Sequence, residues 1–128
     1  MPVIANKTIA DGQTTPVNHT FYVSNRGEVI EWTDRTGTVP ANWAKLSFAA
    51  KWNKDQTLLR VRWKLDTPVV ETPSGGLAKR VAILRTVAEH FIPERALDSL
   101  RADHVAFVRN LVASSDFAVP VRYNEIYA

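Results

Sequence analysis

Six basic side chains, Lys45, Lys51, Lys54, Arg60, Arg62 and Lys64, fall between Ala44 and Lys64 with a single acid, Asp55. That stretch carries +5 in a chain whose total is +3, so the other 107 residues carry −2 and the basic excess is local. Residues 44–65 alternate in polarity, which puts every one of these cations except the turn residue Lys54 on one face of a strand pair. Cations at strand spacing match a phosphate backbone, and arginine can also fork onto base edges or stack on them. A solvated edge hairpin that uses lysine to block aggregation has the same pattern, so residue type alone leaves both readings open. Trp43 is in phase with Lys45 and Ser47; it is either a base-stacking platform or an aromatic covering a neighbouring strand.

Other chemistry finds little support. The chain has no cysteine, which excludes a disulfide scaffold, a thiolate zinc site, an iron–sulfur cluster and a cysteine nucleophile. His19, His90 and His104 lie on different segments without metal-ligand spacing. Ser74-Gly75-Gly76 lacks the lysine and following helix of a phosphate loop, and Ser114-Ser115-Asp116 has no histidine nearby for a hydrolase triad. Glu89 and Glu94 could form an acid pair, but strand carboxylates near Arg85 and Arg95 are more often ion-paired. No enzyme activity, cofactor or metal is expected.

The elements that must position the basic residues are legible in part. A length of 128 residues, 45% hydrophobic and 23% charged, fits one folded domain over residues 1–128. No apolar run exceeds four residues, so no membrane span is expected, and the N-terminal segment does not read as a secretory signal. Asp11-Gly12 reads as a tight turn after a short strand at residues 7–10. Residues 17–23 and 28–34 read as strands, with a turn at 24–27 and a loop at 36–40. The clearest unit is a hairpin: strand 44–52, turn 53–56, strand 58–65. Residues 67–76, with two prolines and Gly75-Gly76, read as a loop. Residues 79–91 have helix formers, but Val81, Ile83, Thr86 and Val87 are β-branched and Pro93 follows, so a strand is expected. A helix is expected from about Asp98 to about Ala113, capped by Asp98 or Ser99, because Leu97, Leu100, Val105, Val108, Leu111 and Val112 recur mostly three or four apart. Ser114-Ser115-Asp116 ends it or caps a second short element, and residues 120–127 have room for another turn of helix.

Five or six strands at about 4.8 Å spacing make a sheet about 25 Å wide, while one helix covers a strip of about 10 Å. The apolar face, with Phe48, Trp52 and Trp63, would stay partly bare, and a bare patch of that size calls for a second copy.

The order of elements resembles the coat proteins of the single-stranded RNA bacteriophages, the leviviruses. The likeness rests on Phe91-Ile92-Pro93, on Phe107-Val108-Arg109-Asn110-Leu111-Val112, on Phe117-Ala118-Val119-Pro120 and on Asn124-Glu125-Ile126-Tyr127-Ala128. Ile9-Ala10-Asp11-Gly12 and the run 15–21 add to it. The resemblance implies an α+β fold: an antiparallel sheet with an N-terminal hairpin, then one long and one short C-terminal helix, with two chains forming a continuous sheet in an intertwined homodimer. It implies dimers that assemble into a small quasi-equivalent (T=3) icosahedral shell around a single-stranded RNA genome, in the bacterial host cytoplasm, with the virion as destination. It also implies that a dimer binds an RNA hairpin as a translational repressor, and that loop 67–76 sits near the shell's symmetry axes. The family's RNA-contacting positions match Lys45, Ser47, Ala49, Lys51, Arg60, Arg62, Lys64, Arg85, Val87 and Glu89. Family members with a defined hairpin site place small hydroxyl residues in an adenine pocket and an aromatic stacker on the last strand. Here Ser47 keeps a hydroxyl, but Ala49, Arg62 and Arg85 depart from that pattern. A non-viral dimeric RNA-binding domain that builds no shell is the alternative.

Overall fold

A computed structural model of the chain describes residues 3–37 and 39–124. Six strands come first: β1 (Lys7–Ala10), β2 (Asn18–Arg26), β3 (Ile30–Asp34), β4 (Ala44–Trp52), β5 (Leu58–Glu71) and β6 (Lys79–Pro93). A single 3-10 turn, Pro40–Asn42, precedes β4, and two helices follow β6, α1 (Asp98–Val112) and α2 (Ser115–Tyr123). The strands form one antiparallel sheet whose spatial order is the chain order, β1 to β6. The chain divides into two units, residues 1–91 and residues 92–128.

In the first unit, strand alternation sorts the side chains. Phe48 opposes Trp63, and Leu46 opposes both Leu65 and Trp32. Opposed residues of an antiparallel pair share a face, so these side chains line one side of the sheet. There Trp32 stacks on Trp63 with ring centroids 5.9 Å apart, and Phe48 tilts against Trp63 at 4.7 Å. The Lys7 ammonium sits 4.9 Å from the Trp32 ring, a cation–π contact that brings β1 onto the cluster. The Trp32 indole N–H donates to the Ala5 carbonyl at 2.9 Å, and the Asn6 carboxamide oxygen accepts from the Val23 amide, so the segment before β1 is tied across β2 and β3.

The connection from β1 to β2 departs from the expected tight turn. It takes the seven residues 11–17, and Asp11 organises it: its Oδ1 accepts from the amides of Gln13 and Val17, and its own amide donates to the Val17 carbonyl. Asp11 Oδ2 lies 2.9 Å from His19 Nε2, and Asp34 Oδ2 lies 2.7 Å from His19 Nδ1. The Thr36 hydroxyl donates to the other Asp34 oxygen. A ring with a carboxylate on each nitrogen is held as the imidazolium. The hydrogen bond from Asp11 first, then that from Asp34, raises the His19 pKa above its ordinary 6.5. The Val17 amide first, then His19, lowers that of Asp11 below 3.8.

The turn expected at 24–27 falls later, because β2 runs to Arg26 and takes up a register shift between Val23 and Asn25. The expected loop 67–76 is also shorter. Strand β5 continues to Glu71, through Pro68, and the loop occupies residues 72–78. Its ladder with β4 ends at the Lys45–Asp66 pair, and a proline without an N–H is tolerated where a strand has outrun one neighbour. Gly75 sits at φ +74°, a backbone conformation that favours glycine.

In the second unit, α1 begins after Leu97, which caps it without a side-chain hydrogen bond; Asp98 and Ser99, the expected caps, are not the N-cap. Asp98 instead lies in the first turn, where its charge suits the helix dipole. Ser114 separates the helices, its hydroxyl donating back to the Leu111 carbonyl, and α2 runs on through Pro120 to Tyr123. The expected further turn covers Pro120 to Tyr123; Glu125, Ile126 and Tyr127 lie outside the described residues. Neither helix has a buried residue. No helix among the described residues is long and apolar enough to cross a membrane.

The bridge from Asp11 through His19 to Asp34 gives stability a pH signature. Because the His19 pKa is raised on folding, its contribution is complete below about pH 6.5 and is lost as pH rises through the folded value. The Asp11 contribution is present above about pH 3.8 and is lost as pH falls through its lowered folded value. Thermal unfolding midpoints should therefore decline from about pH 6 to about pH 9 in the wild type and be flatter in His19→Asn. Parallel profiles for the two proteins would overturn this reading.

Candidate nucleic-acid interface

On the opposite face of the sheet the same alternation collects the polar residues. Ser47 opposes Lys64, Ala49 opposes Arg62, Lys51 opposes Arg60 and Lys45 opposes Asp66. All seven residues expected on the central hairpin, Lys45, Ser47, Ala49, Lys51, Arg60, Arg62 and Lys64, thus share one surface. The expected positions on β6 join them through side-chain contacts. Arg85 donates from Nε to Asp66 Oδ1 at 2.7 Å and from Nη2 to Oδ2 at 3.2 Å. Arg60 donates to Glu89 Oε1, and Arg62 Nε lies 3.6 Å from the same oxygen. Val87, between Arg85 and Glu89 in the strand's phase, is exposed.

Two further acids belong to this surface, neither of them evident from the sequence pattern. Asp66 follows Lys64 in the same phase and takes Lys64 Nζ at 3.9 Å as well as Arg85. Glu31 opposes Ser47 across the β3–β4 pair. Six cations (Lys45, Lys51, Arg60, Arg62, Lys64, Arg85) therefore face three carboxylates (Glu31, Asp66, Glu89), and the surface keeps a positive balance. The Arg85 fork holds the Asp66 carboxyl below the ordinary aspartate value, and Arg60 does the same for Glu89. A shallow hollow of about 280 Å³ opens in the middle of the face, lined by Val29, Glu31, Ser47, Ala49, Arg62 and Lys64. It joins a hydroxyl, a carboxylate, a guanidinium and an ammonium around small apolar side chains, a mix of donors and acceptors suited to a flat polar ring.

Tyr22 also reaches this face. The Trp43 indole donates to the Gly37 carbonyl at 3.1 Å and so closes the connection before β4. Tyr22 opposes Thr33, which in turn opposes Lys45, so Tyr22 shares the basic surface, exposed and with the Arg35 guanidinium 5.2 Å from its ring. The alternation of β2 carried that signal. Glu89 pairs with arginines, which removes it from an acid pair with Glu94. Among the described residues no three His, Asp or Glu side chains are grouped to hold a metal ion.

The family model for levivirus coat protein matches residues 2–122. No curated protein sequence matches. Among solved structures, the virus-like particle of bacteriophage ESE058 is similar, with 26% identity, a TM-score of 0.86, and coverage of 99% of this chain and 100% of that one. The virus-like particle of Beihai levi-like virus 21 shares the fold at 22% identity and a TM-score of 0.86, covering 99% and 100% of the two chains. The bacteriophage GA protein capsid shares it at 18% identity and 0.74, covering 97% and 98%.

Arg60, Arg62 and Arg85 are each about half exposed, so their ion pairs contribute little to holding the sheet together. Arg60→Ala combined with Lys64→Ala should keep the wild-type circular dichroism spectrum and lower the unfolding midpoint by less than about 5 °C. A loss of folded protein would show that the cations support the fold.

Proposed function

The chain belongs to the levivirus coat protein family, and on that premise we propose that its copies pair into dimers whose basic sheet face meets single-stranded RNA inside the shell. It is a capsid-forming structural protein, not an enzyme, and its place is the virion. Coat-family membership disfavours the alternative of an RNA-binding dimer that builds no shell.

Burial supports the dimer. Among the described residues only Phe21, Trp32 and Thr33 are buried. The chain exposes 10376 Å², against roughly 6,800 Å² for a folded monomer of its mass. Leu97, the N-cap of α1, and Leu100, Val105, Phe107 and Leu111 on that helix are all more than half exposed, and so is Leu84 on β6. A second copy that lays its helices on the sheet and extends it past β6 covers these surfaces, in keeping with the intertwined homodimer and the single coat domain over residues 1–128. Dimers then close a small quasi-equivalent icosahedral shell, assembled in the bacterial host cytoplasm.

The observation that carries the RNA reading is the collection of six cations on one sheet face. Lys45, Lys51, Arg60, Arg62, Lys64 and Arg85 act mainly on phosphates, with Val87 and Ala49 supplying contact surface and Glu89 lying among the arginines. Ser47 and Arg62, at the wall of the hollow, are the residues placed to meet a base. An RNA hairpin that represses translation would be read there.

Because folding and association become one equilibrium, unfolding midpoints should rise with protein concentration, and Phe107→Asp should abolish soluble dimer by placing an unpaired charge in the interface. A stable folded monomer at low micromolar concentration would overturn the dimer. RNA affinity, measured by filter retention across a salt series, should fall steeply with salt. Arg60→Ala with Lys64→Ala should weaken it and make the slope shallower by about one for each phosphate-binding cation removed. Equal affinity and equal slope would require withdrawing the RNA face.

A further inference from the structure

Before any ligand arrives, the guanidiniums of the basic face are already engaged by carboxylates of the same chain. Arg60 and Arg62 converge on a single oxygen of Glu89. Arg85 forks onto both oxygens of Asp66, and Lys64 adds to it. Lys45, opposite Asp66, acts on that carboxylate only through its charge. A carboxylate in the fork of an arginine presents the same planar pair of acceptors as a phosphate. We propose that Glu89 is a built-in competitor for RNA phosphate, holding Arg60 and Arg62 until a nucleic acid displaces it and so setting how weakly the face binds arbitrary RNA.

This rests on the RNA-binding reading of the face and deepens it. Arg60 and Arg62 are 53% and 47% exposed in their side chains, and Glu89 is 30% exposed, so water screens the pairs and they exchange readily. Exchange still has a cost, because each phosphate bound by Arg60 or Arg62 takes one cation partner from Glu89 and places a second negative charge beside it. A single stretch of unpaired RNA therefore gains less than the number of cations suggests. RNA that engages many copies at once, or that adds a base contact in the hollow beside Arg62, can offset that loss. Glu89 and Asp66 each carry two cationic partners, but Asp66 is the more enclosed of the two carboxylates, so Glu89 is the better place to test the idea.

The test uses the assembled dimer and a single-stranded oligouridine of about 20 nucleotides, with filter retention read over a salt series. Glu89→Gln keeps the size and removes the charge. It should bind the RNA about threefold to tenfold more tightly near 0.1 M salt, with a salt slope steeper by up to about 0.7 for each guanidinium released. In the Arg60→Ala background the same change should gain less, since one of the two released groups is absent. Equal or weaker binding by Glu89→Gln, with wild-type RNA binding intact, would overturn the proposal and leave Glu89 as a contact to the RNA or a structural partner. Wild-type protein without salt-dependent RNA binding would instead overturn the RNA face itself. A second measurement does not depend on the variant folding: carbon-13 titration of the Glu89 carboxyl in the wild type. Its pKa should rise toward the ordinary glutamate range when oligouridine is added, and an unchanged value with bound RNA would overturn the proposal.

Discussion

The register that sets Phe48 against Trp63, with Trp32 stacked on the same ring, is the constraint on which the rest depends. Side chains alternate strictly along a strand, so a slip of one residue between β4 and β5 would carry Arg60, Arg62 and Lys64 to the aromatic side and Trp63 to the polar side. Gathering the three rings on one face therefore fixes which surface collects the cations. The fold and the basic surface are two aspects of one pairing.

The same sheet shows why a lone chain is an incomplete object. Its aromatic cluster is small for the length, and the helices that follow β6 carry their apolar side chains exposed. Stability and assembly are thus linked in the dimer proposed above, where a coat subunit would gain most of its core by meeting another. The outer strand β6 serves both needs, since one set of its residues enters the basic face through Arg85 and Glu89 while Leu84 belongs to the other side of the sheet.

Local patterning makes the hairpin β4–β5 legible to the residue at the bounds of β4, because alternation there is unbroken and the turn between is polar. Strand β6 is legible from its β-branched residues despite helix formers, and α1 from its apolar spacing. What sequence could not supply is set by partners distant in the chain. Pro68 reads as a breaker until β5 is seen to outrun β4. Asp11-Gly12 reads as a turn until His19 and Val17 are seen to hold Asp11 in a wider connection. In the candidate site, the basic residues stand out by type and Glu89 as an ion-paired strand carboxylate, but Asp66 and the identity of the arginines that engage each acid do not. Asp66 and Glu89 meet their arginines only across the ladder between β5 and β6.

The chain-order arrangement of the sheet has a kinetic consequence. Each strand pairs with the one just before it, so none of the neighbouring pairs requires closing a loop over an intervening strand. Loop-closure entropy stays small at each step, and the sheet can grow by successive hairpins as the polypeptide leaves the ribosome. The helices, which follow β6 in the chain, emerge last. A nascent subunit can therefore have its pairing register in place before its helices are available for assembly, which separates the formation of the basic surface in time from commitment to a particle.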